Sequence, residues 1–275
     1  MTAQPKDTAI YERFLKLLSI DRKESSSDAL RELVFAYVTR IPFENISKLY
    51  YLKRDGLRGL PDFETYLSGI ERYNFGGTCY INNYHLHLLL SHLGYDVSLC
   101  GTDMENPDVH IVNIVRVDGC EFIADAGYAA PFIDPLPRDL RQDYVVELGR
   151  DRYVLEPRDD RGRSRMVLYH DNHPKHGYVV NPVPRTIDYF EKTIAESFRD
   201  SATFMSAILL TRFERNKAIR VNNLSVIRSE GTEYSIEKLE SKDQLPPIIE
   251  DIFGIPQEIS REAIARVGDF GDAWD

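Results

Sequence analysis

The chain has 275 residues, 43% of them apolar and 28% charged, the make-up of a folded globular protein and not of a disordered one. That length exceeds what one hydrophobic core usually serves, so two or three packed domains are expected. A formal net charge of −10 without a dense basic stripe argues against nucleic acid or an anionic membrane surface as partner, and no apolar run approaches the roughly 20 residues of a membrane helix.

Residues 9–92 read mainly as helix. Ile10, Phe14, Leu17 and Leu18 fall on one face at helical spacing. The stretch 24–40 opens with serine and aspartate cap candidates and carries Leu30, Leu33, Val34 and Tyr37. Pro42 ends it, because the residue before a proline is pushed out of the α region. A further periodic segment, about 78–92, follows Gly76-Gly77 and stops at Gly94, a left-handed cap candidate. From about 95 the period changes to short runs rich in β-branched and aromatic residues, separated by Asp, Gly, Pro and Asn, the pattern of an antiparallel sheet or small barrel. Residues 186–218 read as largely helical again, 218–238 as strands with a hairpin, and 244–253 as a last acidic helix. Helices first, strands next and a mixed segment last give an α+β fold, not a doubly wound parallel sheet.

Two patterns carry chemistry. In "NFGGTCYINNY" two glycines precede Thr78, a good N-cap, and Cys79 falls in the first helical turn. The positive end of the helix dipole and the free N–H groups there favour a thiolate. In "DVHIVNIVRVDGCEFIADAGY" the Asp118-Gly119 pair predicts a two-residue hairpin, so that Val117 pairs with Cys120, Val115 with Phe122 and Asn113 with Ala124. Continued outward, this register puts His110 and Asp125 on one face as diagonal neighbours, about 7–8 Å apart at the backbone. A slip of one residue would separate them. Cysteine, histidine and carboxylate form the arrangement of nucleophilic catalysis: the imidazole takes the thiol proton and the aspartate fixes its tautomer.

These residues bring a family into view. The chain resembles the arylamine N-acetyltransferases from end to end. Gly76-Gly77-Thr78-Cys79 with Asn83 matches their cysteine motif, and Pro42-Phe43-Glu44-Asn45 their "PFEN" tetrad. "HIVNIV" from His110 and "DAGYA" from Asp125 stand where the histidine and aspartate segments belong. "TIDYFE", Ser201 with Phe204, and Phe253-Gly254-Ile255 follow in order. The resemblance implies a helical bundle over 1–93 carrying the cysteine, a β-barrel over 94–185 carrying His and Asp, and an αβ lid over 186–275, around a cysteine-protease-like core. It implies ping-pong transfer of acetyl from acetyl-CoA, a substrate rather than a bound cofactor, through Cys79 to an arylamine, hydrazine or similar amine. Phe43, Thr78, Gly127 and Tyr128 are the expected substrate-binding residues. The departures are Phe75 for the usual arginine before the glycines, Ile81 for a glutamate, and Ala129 for the second glycine of "GFG". Two alternatives stand beside acetyl transfer: an amide synthase working on a carrier-bound thioester, and a binding relative that no longer catalyses.

The other signals are weaker. Three scattered cysteines make neither a disulfide framework nor a zinc spacing, and Cys100 and Cys120 are expected as buried structural thiols. His170, His173 and His176 recur every third residue, but Pro174 breaks any helix that would align them, and no metal is expected. The arginines at 158, 161, 163 and 165 suit phosphate, yet the interleaved aspartates favour a solvated loop. His85, His87 and His92 lie along the helix after Cys79. The opening residues lack the pattern of a secretory leader, so a cytoplasmic location is expected.

Overall fold

The computed structural model describes residues 8–271. The ends of the first and third expected domains, 1–7 and 272–275, and with them much of the stretch read for a leader, lie outside that range. Helix α1 (Thr8–Leu18) buries Tyr11, Phe14, Leu15 and Leu18. Helix α2 (Ser27–Arg40) starts where the Ser26 hydroxyl accepts the Ala29 N–H at 3.2 Å, and stops at Ile41, extended at φ −107° and ψ 113° ahead of Pro42. A two-residue strand β1 (Phe43–Glu44) leads into α3 (Ile46–Asp55), which ends on Gly56 in the left-handed region. Helix α4 (Phe63–Tyr73) is capped by Asp62, whose carboxylate accepts the Thr65 N–H at 2.7 Å, and α5 (Cys79–His92) closes this part of the chain.

Eight strands follow: β2 (Asp96–Asp103), β3 (His110–Val117), β4 (Cys120–Ala124), β5 (Leu136–Pro137), β6 (Tyr144–Leu148), β7 (Asp151–Leu155), β8 (Ser164–His170) and β9 (His173–Pro184). They pair antiparallel in the order β5-β4-β3-β2-β9-β8-β7-β6, a nearly closed barrel. The β3–β4 register is the one read from the sequence, Val117 to Cys120, Val115 to Phe122 and Asn113 to Ala124. Asp118 and Gly119 at the turn both have positive φ, 52° and 74°, as a type I′ connection demands. Strand β3 is buried on both faces. Ile111 and Val115 join the core shared with the helices, while Val112 and Ile114 join the barrel interior with Cys100, Phe132 and Tyr178.

Residues 186–218 correct the helical expectation. Only a 3-10 turn (Ile187–Phe190), α6 (Glu191–Glu196) and α7 (Thr203–Ser206) are helical; Leu209–Glu214 is strand β10. A short apolar run does not distinguish strand from helix by periodicity, and here β1 supplies an edge, with Phe43 opposite Thr211 and Glu44 opposite Leu210. Strands β11 (Lys217–Asn222), β12 (Ser225–Glu230) and β13 (Glu233–Lys238) complete a five-stranded antiparallel sheet in the order β1-β10-β11-β12-β13. Helix α8 (Leu245–Phe253) is the acidic helix read from the sequence; α9 (Gln257–Ile264), which packs on α3, lies beyond it. Cys100 is buried as expected, but Cys120 is exposed, because it follows directly on the hairpin turn. Among the described residues no helix is long and apolar enough to cross a membrane.

Candidate active site

The start of α5 is clamped before it begins. Gly76 admits no side chain: a Cβ there would lie 1.8 Å from the Pro42 carbonyl oxygen. The Glu44 carboxylate accepts the Gly76 N–H at 3.0 Å and the Ser47 N–H at 2.8 Å, and the Glu44 N–H donates to the Gly77 carbonyl at 3.1 Å. Burial pushes this carboxyl above its ordinary range, against the pull of those backbone donors. Its neighbour Asn45 donates to the Ala207 carbonyl at 2.7 Å and accepts the Leu209 N–H at 2.9 Å, which ties the same loop to α7 and β10.

Cys79, His110 and Asp125 meet in this setting, all three buried. The Cys79 Sγ lies 3.9 Å from the Val109 carbonyl oxygen, and the sulfur helps to raise the pKa of the neighbouring His110 ring. His110 Nε2 sits 2.9 Å from Asp125 Oδ2, which leaves Nδ1 for the sulfur. Burial alone would lower the imidazolium pKa. The charge and hydrogen bond of Asp125, followed by the hydrogen bond and charge of Cys79, outweigh it and raise His110 to about 10. Asp125 is saturated with donors: Asn83 Nδ2 at 2.8 Å and the Gly127 N–H at 2.9 Å on Oδ1, the Tyr178 hydroxyl at 2.9 Å and His110 on Oδ2. Burial opposes its charge, but the His110 cation and these donors hold its carboxyl below the usual range. Asn83 completes the frame by accepting the Ala126 N–H at 2.8 Å and donating to the Ile111 carbonyl at 2.5 Å, so α5, β3 and the segment after β4 are locked together.

The remaining expected residues divide. Phe43 and Tyr128 both line a cavity of about 330 Å³ at the junction of the barrel and the five-stranded sheet. The Tyr128 ring lies edge-on to His110 at 5.7 Å, and its hydroxyl is 2.6 Å from His176 Nδ1. Thr78 and Gly127 do not line that cavity. Thr78 occupies the N-cap position of α5 but its side chain makes no cap bond, contrary to the expectation of a good cap. Gly127 lies against the Cys79 backbone, where a Cβ would come within 2.7 Å of the Cys79 Cα and carbonyl oxygen. Sequence reasoning missed Tyr178, whose contact with Asp125 spans 53 positions, and the Asp151–Arg220 pair (2.8 Å) in the cavity wall. No local pattern signals either.

Comparison with known proteins bears on this arrangement. A family model described as N-acetyltransferase matches residues 26–262. The chain belongs to the N-acetyltransferase family. It is 32% identical over 119 residues to the proansamycin X synthase of Amycolatopsis mediterranei (strain S699), a match covering 40% of this chain and 44% of that protein. It is 23% identical over 197 residues to arylamine N-acetyltransferase 1 of Bos taurus, covering 62% and 65%. The chain thus spans less than two thirds of either curated relative. Among solved structures, the arylamine N-acetyltransferase of Salmonella typhimurium superimposes with a TM-score of 0.78 at 17% identity, covering 94% of this chain and 98% of that one. The Mycobacterium marinum enzyme in complex with CoA gives 0.76 at 19% identity, covering 93% and 97%. Both likenesses concern the fold.

The departures from the family's motif have structural answers. Phe75, where an arginine is usual, is buried among the rings of Tyr50, Tyr51 and Tyr73, with centroids 5.7, 5.6 and 5.1 Å away. Ile81 packs over Gly77, where a Cβ would come 2.5 Å from its Cγ2. Ala129 keeps the left-handed conformation that glycine would occupy freely, φ 58°. The histidine and arginine runs outside the core also find local partners. His170 Nδ1 is 2.7 Å from Asp151, and Arg158 pairs with Glu121 and Asp139. His85 stacks on Tyr66 at 3.8 Å and His92 on Tyr11 at 3.8 Å. His87 Nδ1 lies 3.1 Å from the Asn113 carboxamide oxygen.

Proposed function

We propose that this protein transfers an acetyl or similarly short acyl group from acyl-CoA to an arylamine, hydrazine or similar amine through an acyl-Cys79 intermediate. The observation that carries this reading is the joined set of buried groups, sulfur to imidazole to a carboxylate with four donors. A thioester is readily attacked by a thiolate, and an acyl-enzyme splits one hard transfer into two easier ones. Cys79 Sγ attacks the thioester carbon, the N–H groups at the start of α5 receive the oxyanion, and His110 returns its proton to the departing CoA sulfur. The amine then attacks the acyl carbon, gives a proton to His110, and Cys79 leaves as thiolate. Phe43 and Tyr128 border the acceptor's cavity, while Thr78 and Gly127 set the position of the nucleophile. The CoA complex of the Mycobacterium marinum relative supports CoA as the carrier. In this reading acetyl-CoA is a substrate, no cofactor or metal is required, and neither nucleic acid nor membrane is a partner. The protein works in the cytoplasm, where acetyl-CoA is made and used.

Intact-mass analysis after incubation with a panel of short acyl-CoAs tests the reading. A gain of one acyl group in the wild type, absent from Cys79→Ala, is expected; a wild type that stays unmodified with every donor refutes it. The 32% identity to a synthase rather than an acetyltransferase favours a second reading, in which Cys79 accepts its acyl group from a carrier-bound thioester. Faster acylation from an acylated carrier protein than from the matching acyl-CoA would select it.

A further inference from the structure

The cavity bordered by Phe43 and Tyr128 has a charge opposite to that of the chain. Among the described residues its lining carries three fixed cations, Lys175, Arg220 and Lys238, against one carboxylate, Asp151, in a protein of net charge −10. Arg220, on β11, is anchored from behind. Its Nη1 donates to Asp151 Oδ2 at 2.8 Å and its Nη2 to the Tyr153 hydroxyl at 2.8 Å. His170 Nδ1 holds the other oxygen of Asp151 at 2.7 Å, and Asp151 and Tyr153, two positions apart on β7, present one face of that strand. Two of the five N–H donors of the guanidinium are used in this way among the described residues. The others serve what fills the cavity, because the arginine side chain is 24% exposed and the Asp151 side chain behind it only 6%. Lys238 Nζ is held by Ser225 Oγ at 2.8 Å, and neither it nor Lys175 pairs with a carboxylate among the described residues. Ring contacts lead from Tyr128, beside His110, to Phe132 at 6.1 Å and on to Tyr153 at 5.4 Å, so Arg220 stands away from the imidazole.

We propose that Arg220, with Lys175 and Lys238, receives an acid group on the acceptor, a carboxylate or sulfonate at the end of the molecule remote from its amine. The inference rests on the reading above, in which this cavity takes the acceptor. A guanidinium already fixed by a carboxylate and a phenol loses little freedom on gripping an oxyanion, and its planar donors match that geometry. A buried ion pair adds little to stability over apolar contacts, so the expense of this one is met by what it recognises. The acid takes no part in bond making; it sets which amine is brought to the acyl-enzyme.

The test loads Cys79 with acetyl from acetyl-CoA, removes the donor, and follows loss of the acetyl group by intact mass as 3- or 4-aminobenzoate is added, each against its own amide. The amide matches the acid in shape without its charge. The wild type is expected to favour the acid, and Arg220→Met to lower the acid-to-amide rate ratio by about tenfold or more, the scale of a hydrogen bond to a charged group. Comparing the ratio between proteins cancels the difference in nucleophilicity between acid and amide. The double variant Lys175→Met, Lys238→Met, which keeps the Asp151–Arg220 pair, should lower the ratio at low salt and lose its effect at high salt. A wild type that prefers the amide, or a ratio unchanged in both variants, overturns the inference. Absence of acetyl-Cys79 after the first step would instead refute the proposed reaction. Calorimetry of the unloaded protein with 4-acetamidobenzoate and 4-acetamidobenzamide then decides the role of Arg220 alone: tighter binding of the acid supports it and equal binding overturns it.

Discussion

Replacing Asp125 with asparagine separates the charge of this carboxylate from its shape. Each Asp125 oxygen accepts from two donors, so an amide nitrogen on either side meets groups that also need to donate. Asn83 and the Gly127 N–H have no alternative, whereas the Tyr178 hydroxyl can turn to accept. The amide nitrogen therefore faces His110, whose Nε2 becomes an acceptor. The ring then carries its proton on Nδ1, toward the sulfur, and cannot take one from it. The charge lost is also large. His110 stands at about 10 instead of 6.5, and at about 1.4 kcal/mol per tenfold this is on the order of 5 kcal/mol favouring the imidazolium, most of it owed to Asp125. The sign follows from the raised value: the stabilisation of the fold is complete below about pH 6.5 and fades as pH rises through about 10. For Asp125→Asn, single-turnover acetylation of Cys79 by acetyl-CoA at pH 7, followed by intact mass, should slow by about 10³–10⁴-fold, the scale lost when such a histidine is held in the wrong tautomer. Acetylation within about tenfold of the wild type, in a variant with an unchanged thermal midpoint, would refute the assigned role of Asp125.

Gly127→Ala forces a methyl group within 2.7 Å of the Cys79 backbone and 2.6 Å of Asn83 Nδ2, so it should destabilise by about 1–3 kcal/mol in urea denaturation and reduce acyl-Cys79 formation. Ala129→Gly relieves a left-handed alanine, and chemical denaturation should show a gain of about 0.5–1 kcal/mol once the added freedom of the unfolded chain is subtracted. Lys48 in α3 is buried with no carboxylate partner among the described residues, so Lys48→Met should raise stability in urea denaturation. The fall from 10.5 to about 8 corresponds to an ammonium disfavoured by burial on the order of 3 kcal/mol. That burden is present below about pH 8 and disappears as pH climbs to 10.5, so the stability gap between variant and wild type should close over that range.

The parts of this architecture that were legible in the sequence are those with short-range causes. Asp118-Gly119 dictates a turn whose handedness permits one register, and that register carries the Asn113–Ala124 pairing that leads to the neighbouring His110 and Asp125. Ser26 and Pro42 bracket α2 through cap chemistry and the steric bar before proline. Strand β10 was illegible because its conformation is decided by β1, more than 160 residues earlier, and not by the short apolar run at 207–210 itself. Thr78 shows the limit of a cap rule: the residue type fits and the backbone occupies the position, yet the side chain caps nothing. Tyr178 and Lys48 were invisible for a shared reason. Each sits in an unremarkable local pattern and gains its meaning from a contact made only once α5, the barrel and α6 have come together.

Phe75 bears on how charge is arranged in the loop that leads into α5. With Phe75 enclosed by tyrosines, no cation pairs with the buried Glu44 among the described residues, and burial raises its carboxyl. A buried ion pair can be exchanged for apolar contacts at little net expense if neither partner is left charged alone. Glu44 meets this condition by accepting two backbone N–H groups, which serve the protonated or the ionised acid. Lys48, four positions later, is buried without a carboxylate partner among the described residues, and its Nζ donates to Ser197 Oγ at 2.7 Å. The loop that leads into α5 is thus held by backbone N–H groups on Glu44 and by ring contacts around Phe75.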